Sequence, residues 1–325
     1  MRTVFRVLAV TVAVVVPFQA HGLGTAFAAP PGSVGIKLLD APVERADDPR
    51  AKLYIVDHVE PGATIQRRIQ VENGLDQPTT IKLYPGAATL TEGKFNAEPK
   101  RVTTELTMWT TVDPPEVTIP AGESAIATVT IAVPPEASTG ERYGAVWAEL
   151  PPAEAKGVTE VNRVGIRIYL DVGPGGEPPS DFTIGKLATG LDPDGRQLVT
   201  APVTNTGGRA IDVSGELNLS ARVTDVGPFR ASTVTLAPGQ AGVMVVPIRP
   251  ATTRGPWNVK LDAVSGLVKR SAEARLKLPK PKKKIGKPAG DASGDWVPTA
   301  LVVGAVAAVP VGTGLWMFRA RSRHY

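Results

Sequence analysis

Residues 163–172 have the sequence Arg-Val-Gly-Ile-Arg-Ile-Tyr-Leu-Asp-Val, in which an apolar side chain occupies every second position. Successive side chains of a β-strand point to opposite faces, so this pattern predicts a strand with one face in a core. The same alternation recurs in residues 127–133, 211–219, 257–261 and 272–278, with turn-forming residues between them. No segment between residues 33 and 279 has the pattern of a helix of three turns. The fold is therefore predicted to be all-β.

A break in this pattern divides the strand-rich region. Residues 173–180 have the sequence Gly-Pro-Gly-Gly-Glu-Pro-Pro-Ser, which can neither pair in a sheet nor bury apolar surface. The segments on either side have the length of one sandwich each. We therefore predict two tandem Ig-like β-sandwich domains, residues 29–172 and 181–279, joined by a linker at 173–180.

A weak internal repeat spans this linker. Residues 71–74 (Val-Glu-Asn-Gly) and 203–207 (Val-Thr-Asn-Thr-Gly) each end a predicted strand in a turn. Each is followed later by a tight turn and another strand, at residues 120–123 and 238–240. The repeat predicts the same Ig-like hairpin arrangement in both domains. Turn chemistry alone produces such repeats in many sandwiches, so the pattern indicates fold class and not function.

The N-terminus has the pattern of an export signal. Arg2 and Arg6 supply positive charge, residues 7–16 are almost wholly apolar, and Ala26-Phe27-Ala28 places small residues where a signal peptidase cleaves. We predict a signal peptide at residues 1–28, with an uncleaved anchor as the alternative.

The C-terminus has the pattern of a membrane anchor. Residues 296–318 contain no charged side chain and are long enough to cross the roughly 30 Å of a bilayer's hydrocarbon core. Trp296 and Trp316 fit the interfacial aromatic belts. Basic residues follow in the predicted cytoplasmic tail, residues 319–325: Arg319, Arg321 and Arg323. The prediction is a single-pass cell-membrane protein with its N-terminal domains outside; a buried core helix is the alternative.

Residues 280–295 are rich in lysine and proline and are predicted to form an extended stalk. This stalk either attracts anionic wall polymers or lipid headgroups, or serves only as a soluble spacer. The stalk and the two ends also hold ten of the 36 basic residues. Residues 7–279 then carry 26 basic and 29 acidic side chains, so they lack the electrostatic footprint of a nucleic-acid-binding protein.

Few catalytic residue types are present. The chain has no cysteine, which excludes disulfides, thiolate metal sites and cysteine nucleophiles. Of its three histidines only His58 lies in the predicted exposed region, so a two-histidine metal site is excluded there. Asp57 is adjacent to His58, but neighbours in a strand point to opposite faces and cannot act as a base and its orienting carboxylate. We predict no enzyme, no metal and no cofactor, and interpret His58 as a strand-end residue.

The first predicted domain carries an ordered set of short motifs. They are Leu53-Tyr54-Ile55-Val56, Pro61-Gly62, Val71-Glu72-Asn73, Trp109, Ile119-Pro120-Ala121-Gly122, Val133-Pro134-Pro135 and the segment from Gly140 to Trp147. Over residues 33–150 this order resembles the N-terminal, peptidoglycan-binding domain of the WxL-interacting proteins of Gram-positive cell surfaces. The resemblance implies an Ig-like wall-binding domain, a second Ig-like domain that engages a partner protein, and a membrane anchor. The second domain matches only as a generic sandwich, which leaves a host-binding role open.

Aromatic side chains beside polar groups are the physical basis for glycan binding, because sugar rings stack on aromatic faces. In the first domain the candidate binding residues are Tyr84, Trp109, Glu141, Arg142, Tyr143 and Trp147. Tyr143, Ala145 and Trp147 would share one face of a strand, and a large aromatic on a sandwich strand usually lies in the core. Trp147 and Trp109 are therefore assigned to the core in preference to a ligand platform.

Three functions remain open from the sequence. The leading prediction is a non-catalytic envelope protein that binds peptidoglycan or another cell-wall polymer, a surface protein, or both. The alternative is an adaptor for another exported or membrane protein with no glycan binding. A wall hydrolase or peptidase is the third, and would have to act through His58.

Overall fold

The structure is a computed structural model that describes residues 32–281, except residues 156, 157, 223, 250 and 254. The described part is all-β, as the alternating pattern predicted. Its helices are one short α-helix, α1 (Glu105–Trp109), and a 3₁₀ turn at Val43–Arg45. The predicted signal peptide, nearly all of the stalk, the predicted membrane segment and the basic tail lie outside the described residues.

The first half of the described chain forms two sheets that face each other. Its strands are β1 (Val34–Leu38), β2 (Ile55–Val59), β3 (Thr64–Asn73), β4 (Thr79–Thr91), β5 (Lys94–Ala97), β6 (Thr110–Asp113), β7 (Glu116–Ile119), β8 (Ser124–Ala132), β9 (Gly140–Glu149), β10 (Ala153–Ala155), β11 (Val158–Glu160) and β12 (Arg163–Val172). One sheet has the order β1-β3-β8-β6; the other has the order β2-β12-β9-β4-β5, with β7 also paired to β4. β10 and β11 form a separate hairpin.

The core of this first sandwich comes from alternate residues of both sheets. On β12 the even-numbered residues point inward, as the sequence pattern predicted, and Ile166, Ile168 and Leu170 are fully buried. On the neighbouring β9 the even-numbered residues also point inward, because Val146 pairs with Ile166 in the antiparallel register. The odd-numbered residues of both strands therefore lie on the outer face of the sheet.

The second half forms another pair of sheets around its own core. Its strands are β13 (Phe182–Ile184), β14 (Ala188–Leu191), β15 (Gln197–Asn205), β16 (Ile211–Ala221), β17 (Thr224–Arg230), β18 (Val234–Leu236), β19 (Ala241–Pro247), β20 (Trp257–Ser265) and β21 (Val268–Leu276). One sheet has β15 between β19 and the pair β13 and β14. The other has the order β17-β16-β20-β21, with β18 also paired to β16. Phe182, Leu217 and Met244 are buried at the centre of this second core.

Each sandwich contains a buried asparagine at the end of a central strand. Asn73 donates from Nδ2 to the carbonyls of Gln77 and Ile119, both at 2.9 Å, and accepts from the Leu75 amide. Its own backbone exchanges hydrogen bonds with the turn at residues 122–123. A buried polar group requires such partners. The side chain therefore ties its strand to a distant turn.

Asn205 makes the matching contacts in the second sandwich. Its Nδ2 donates to the carbonyls of Arg209 (2.8 Å) and Leu236 (3.0 Å), and its Oδ1 accepts from the Gly207 amide. Its backbone exchanges hydrogen bonds with Gly239 and Gln240. The weak repeat in the sequence therefore corresponds to the same feature in both sandwiches: a buried asparagine at the end of a strand, hydrogen-bonded to a distant turn.

The segment between the sandwiches contains no strand from the end of β12 at Val172 to the start of β13 at Phe182. Its last residues pack closely on the turn after β15: the Gly208 amide donates to the carbonyl of Pro179 at 2.8 Å. A Cβ on Gly208 would lie 2.8 Å from Cβ of Pro178, so only glycine fits there without a shift. Both sandwiches belong to one compact unit.

The predicted single-pass membrane location is corrected by the structure. Within residues 32–281, apart from the five omitted positions, no helix is long and apolar enough to cross a bilayer. The segment on which that prediction rested, residues 296–318, lies outside the described residues.

Replacing Asn73 by alanine is expected to lower the free energy of unfolding by about 2 kcal/mol, because the buried Ile119 carbonyl and the part-buried Gln77 carbonyl and Leu75 amide lose their partner. Asn205→Ala should have a similar effect through the second sandwich. Denaturant titration of the full-length chain measures both.

Asn96→Ala is the matched control, since Asn96 is exposed on the β4–β5 hairpin and should change stability by no more than about 0.5 kcal/mol. Equal effects of Asn73→Ala and Asn96→Ala would contradict the role given to the buried side chain.

Candidate functional site

The structure separates the six candidate binding residues into three groups. Glu141 and Tyr143 lie between the two sandwiches, and Arg142 and Trp109 lie together at helix α1. Tyr84 and Trp147 lie on the outer face of the large sheet of the first sandwich, where their strands pair directly. The six residues therefore do not form one site.

The contact between the sandwiches is organised around Asp212, at the start of β16. Its carboxylate accepts from Arg50 Nε (2.7 Å), from Arg167 Nη1 (3.1 Å) and from the Tyr169 hydroxyl (3.0 Å), all in the first sandwich. It also accepts from the Thr235 hydroxyl at 2.7 Å within its own sandwich. A buried carboxylate is stable only with such compensation. Asp212 thus joins the outer face of β12 to the second sandwich.

Aromatic rings surround this network. The Arg50 guanidinium lies 4.2 Å from the centroid of the Tyr169 ring, and Tyr54, Phe95 and Tyr143 contact the same ring within 6.0 Å. Burial and the adjacent Asp212 charge raise the pKa of Tyr169 above its usual value, so its hydroxyl stays protonated and donates to Asp212.

Glu141 and Tyr143 belong to the same contact. Both carboxylate oxygens of Glu141 accept from the Ala210 amide at 2.8 Å, and one also accepts from the Tyr143 hydroxyl at 2.7 Å. Burial raises the pKa of Glu141. These two side chains link the sandwiches, and their polar groups are engaged there. Their assignment as binding residues stays a prediction.

Arg142 and Trp109 form a second group at α1. Arg142 donates to Glu105 (2.8 Å) and to the Ser138 and Gly140 carbonyls (2.8 and 2.9 Å), while its guanidinium lies 4.7 Å from the Trp109 ring centroid. Trp109 is half-buried against the first core, as expected. Every guanidinium nitrogen of Arg142 already has a partner, so this group serves chiefly to fasten α1 to β9.

Trp147 is not a core residue, which corrects the sequence-based assignment. It is half-buried on the outer face, while Val146 and Ala148 on either side of it fill the core. Its indole lies flat against the sheet because the adjacent strands carry glycine beneath it. A Cβ on Gly86 would lie 2.6 Å from Cδ1 of the indole, and a Cβ on Gly165 would lie 2.6 Å from Cε3.

Two arginines cover the aromatic rings of this outer face. The Arg163 guanidinium lies 4.3 Å from the Trp147 ring centroid, and the Arg101 guanidinium lies 3.9 Å from the Tyr84 ring centroid. The Tyr84 hydroxyl donates to Glu149 in a short hydrogen bond. We call Tyr84, Arg101, Trp147, Glu149 and Arg163 the aromatic–arginine face.

The guanidinium groups on this face have few hydrogen-bond or ion-pair partners. Arg163 Nη2 donates to the backbone carbonyl of Glu98 at 2.7 Å. Among the described residues neither Arg163 nor Arg101 forms an ion pair with a carboxylate. A guanidinium stacked on a ring keeps its in-plane N–H groups free to bind an anion or a carbonyl. The face therefore offers aromatic surface and hydrogen-bond donors together.

His58 and Asp57 point in opposite directions, as the strand geometry predicted. Asp57 makes a short ion pair with Arg67, whereas His58 Nδ1 lies 2.6 Å from Asp171 Oδ2. The other ring nitrogen, Nε2, lies 3.1 Å from the Gly175 carbonyl. His58 therefore fastens the segment after β12 to β2.

Sequence reasoning missed Arg101, Arg163 and the two glycines of the aromatic–arginine face. One signal could have found part of it: Gly165 lies directly opposite Trp147 in the β9–β12 register, and glycine in a strand interior often marks a close approach. Arg101 comes from an irregular segment before α1, and nothing in the strand pattern predicts its position.

Comparison with known proteins gives no family. No family model matches the chain, and no curated protein matches it. Solved structures with a partial likeness include a chaperone from Pseudomonas aeruginosa, CupB2 (11% identity, TM-score 0.37, 69% of this chain and 97% of that chain). A second is the Salmonella enterica SafA pilin in complex with the SafB chaperone, with 12% identity, a TM-score of 0.40 and coverage of 77% of this chain and 99% of that chain. A third is the E. coli chaperone DraB, with 14% identity, a TM-score of 0.36 and coverage of 75% of this chain and 98% of that chain. These identities and TM-scores are low, so no functional conclusion is taken from them.

Replacing Asp212 by asparagine is expected to lower the free energy of unfolding by about 3 kcal/mol, because Arg50 would keep a buried positive charge without its partner and the part-exposed Arg167 would lose an ion pair. The segment at residues 173–180 should also be cleaved faster by a protease. Asp225→Asn, at an exposed carboxylate of β17, is the control and should leave both measurements unchanged.

Replacing Gly86 by alanine should push the Trp147 indole off the sheet and cost about 1–3 kcal/mol of stability. The measurement is a structure or an NMR spectrum of the variant, in which the indole resonance of Trp147 shifts. Gly176→Ala is the control, because a Cβ there meets nothing within 4 Å. An unmoved indole in Gly86→Ala would contradict the account of a ring lying flat on glycine.

Proposed function

We propose that this chain is a non-catalytic binding protein that acts as an adaptor for another exported protein. Its two sandwiches, which begin with β1 and β13, are held as one unit by the Asp212 network. The aromatic–arginine face is the proposed contact surface. The observation that carries the proposal is the Trp147 indole, which lies flat on glycine and is covered by a guanidinium that has no carboxylate partner among the described residues.

The composition of this face supports a protein partner. Tryptophan, tyrosine and arginine are the residues that contribute most to binding energy at protein–protein interfaces. Here Trp147 and Arg163 lie on paired strands, so little conformational entropy is lost when a partner binds. The free N–H groups of Arg101 and Arg163 suit a partner segment that carries carboxylates or exposed carbonyls.

The surroundings of His58 support a non-catalytic role. Both ring nitrogens are within hydrogen-bond distance of acceptors, Asp171 and the Gly175 carbonyl, so neither is free to activate a nucleophile. A hydrolase acting through His58 would have to break one of these contacts.

Peptidoglycan or another wall polymer is the second candidate ligand, as the resemblance to WxL-interacting proteins implies. The half-buried indole of Trp147 beside Glu149 favours it, since a sugar ring needs an aromatic surface and an adjacent polar group. The guanidinium over the ring disfavours it, because Arg163 would have to move before a sugar could stack there.

The test places a benzophenone amino acid at Lys100, which is exposed beside Arg101. Irradiation of intact cells should give a discrete adduct with an exported protein. Arg163→Gln in the same chain should lower the adduct yield about tenfold, because an interface arginine contributes on the order of 1–2 kcal/mol or more.

Lys260, exposed on the outer face of the second sandwich, is the control position and should give no such adduct. An adduct that Arg163→Gln leaves unchanged would contradict the proposed contact surface. Co-sedimentation with insoluble cell wall that is lost in Trp147→Ala, with no protein adduct, would establish the glycan candidate instead.

A further inference from the structure

A second site lies between the sandwiches, away from the aromatic–arginine face. A cavity of about 280 Å³ opens there, and it is lined by the Arg45, Arg50 and Arg209 side chains. The rest of its wall includes Glu177, Ser180 and Ser265. The two sandwiches both contribute, since Arg50 belongs to the first and Arg209 to the second.

Two of these arginine side chains are almost completely buried, and some of their guanidinium nitrogens have no hydrogen-bond partner. The Arg209 side chain is 1% exposed and the Arg50 side chain is 6% exposed. Among the described residues, Nε and Nη2 of Arg209 and Nη2 of Arg50 have no hydrogen-bond partner. Buried guanidinium N–H groups rarely remain without an acceptor, because each lost bond to a charged group is costly.

The carboxylates around the cavity are used by other contacts. Asp48 accepts from the Arg50 amide (2.9 Å) and pairs with Arg45 (3.5 Å). Glu177 pairs with Arg45 at 3.2 Å and makes a short contact with Nη1 of Arg209. Glu44 also lines the cavity but is exposed to solvent. None of them supplies an acceptor to the three unpartnered nitrogens.

The electrostatic surroundings of Arg209 favour the binding of an anion. Burial, followed by repulsion from Arg45 and Arg50, lowers the pKa of Arg209 to about 10. An added negative charge near Nε and Nη2 would oppose both effects.

We infer that this cavity binds a carboxylate group, which bridges Arg50 of the first sandwich and Arg209 of the second. A carboxylate matches the planar, two-donor edge of a guanidinium better than a spherical ion does. The carboxylate can come from a free small acid or from the end of a longer molecule. Its binding would stabilise the contact between the sandwiches in addition to the Asp212 network.

The test titrates the full-length chain with formate, at constant pH and ionic strength, in a bulky sulfonate buffer. The midpoint of thermal unfolding should rise by about 3 °C and then level off, since a ligand of the folded state stabilises it by mass action. Saturation transfer from the protein to the formate proton gives a second readout that does not depend on unfolding.

Arg209→Gln should abolish both effects, and Arg209→Lys, which keeps the charge but loses the planar edge, should weaken them. Arg230→Gln, at an exposed arginine of β17 outside both proposed sites, is the matched control and should retain both. N-acetylalanine that competes with formate would show that the site accepts a chain end, and failure to compete would restrict it to small free acids.

The proposal is overturned by an absence of saturation transfer in the unsubstituted chain, which would mean that water alone fills the cavity. Equal formate effects in Arg209→Gln and Arg230→Gln would overturn it as well. Neither outcome bears on the partner proposed for the aromatic–arginine face, because that surface is tested by crosslinking.

Discussion

The buried carboxylate of Asp212 is the interaction on which the arrangement of the two sandwiches depends. Arg50, Arg167 and Tyr169 reach it from the first sandwich, and Thr235 reaches it from the second. The three donors of the first sandwich would lose a charged partner if the sandwiches separated. Because the cost of leaving buried charges unpaired is large, the network favours one relative position over many. A linker of glycine and proline alone would not impose that preference.

Much of the fold was predictable because the alternation of side chains in a strand and the residue preferences of turns are local properties of the sequence. The alternation in residues 163–172 correctly placed Ile166, Ile168 and Leu170 in the core. The repeated asparagine turns, weak as a pattern, correspond to similar hydrogen bonds at Asn73 and Asn205. An asparagine there supplies both a donor and an acceptor within reach of the turn, which few other side chains do.

The candidate site was less predictable. The alternation of side chains along a strand shows which residues share a face, but not which face is buried. On β9 the odd-numbered Tyr143, Ala145 and Trp147 are as apolar as the even-numbered residues, so the pattern alone does not choose between them. The second sandwich is the reason for the apolar outer face: Tyr143 and Tyr169 pack there in one cluster with Ala210 and Ala237 of the second sandwich. The pairing of β9 with β12, which is a long-range property, determines which face of β9 lies in the core.

The outer face of the large sheet in the first sandwich therefore has two parts. One part contacts the second sandwich, and the other, which carries glycine, supports the Trp147 indole. Where bulky side chains such as Tyr169 project, the second sandwich covers the sheet. At Gly86 and Gly165 the sheet surface has no side chains, and the Trp147 indole occupies that space with Arg163 above it. A ring held flat in this way loses little freedom on binding, and its stacked guanidinium still has N–H groups to donate. A surface of this kind favours a partner with acceptors at its edge over a neutral sugar that needs the bare ring.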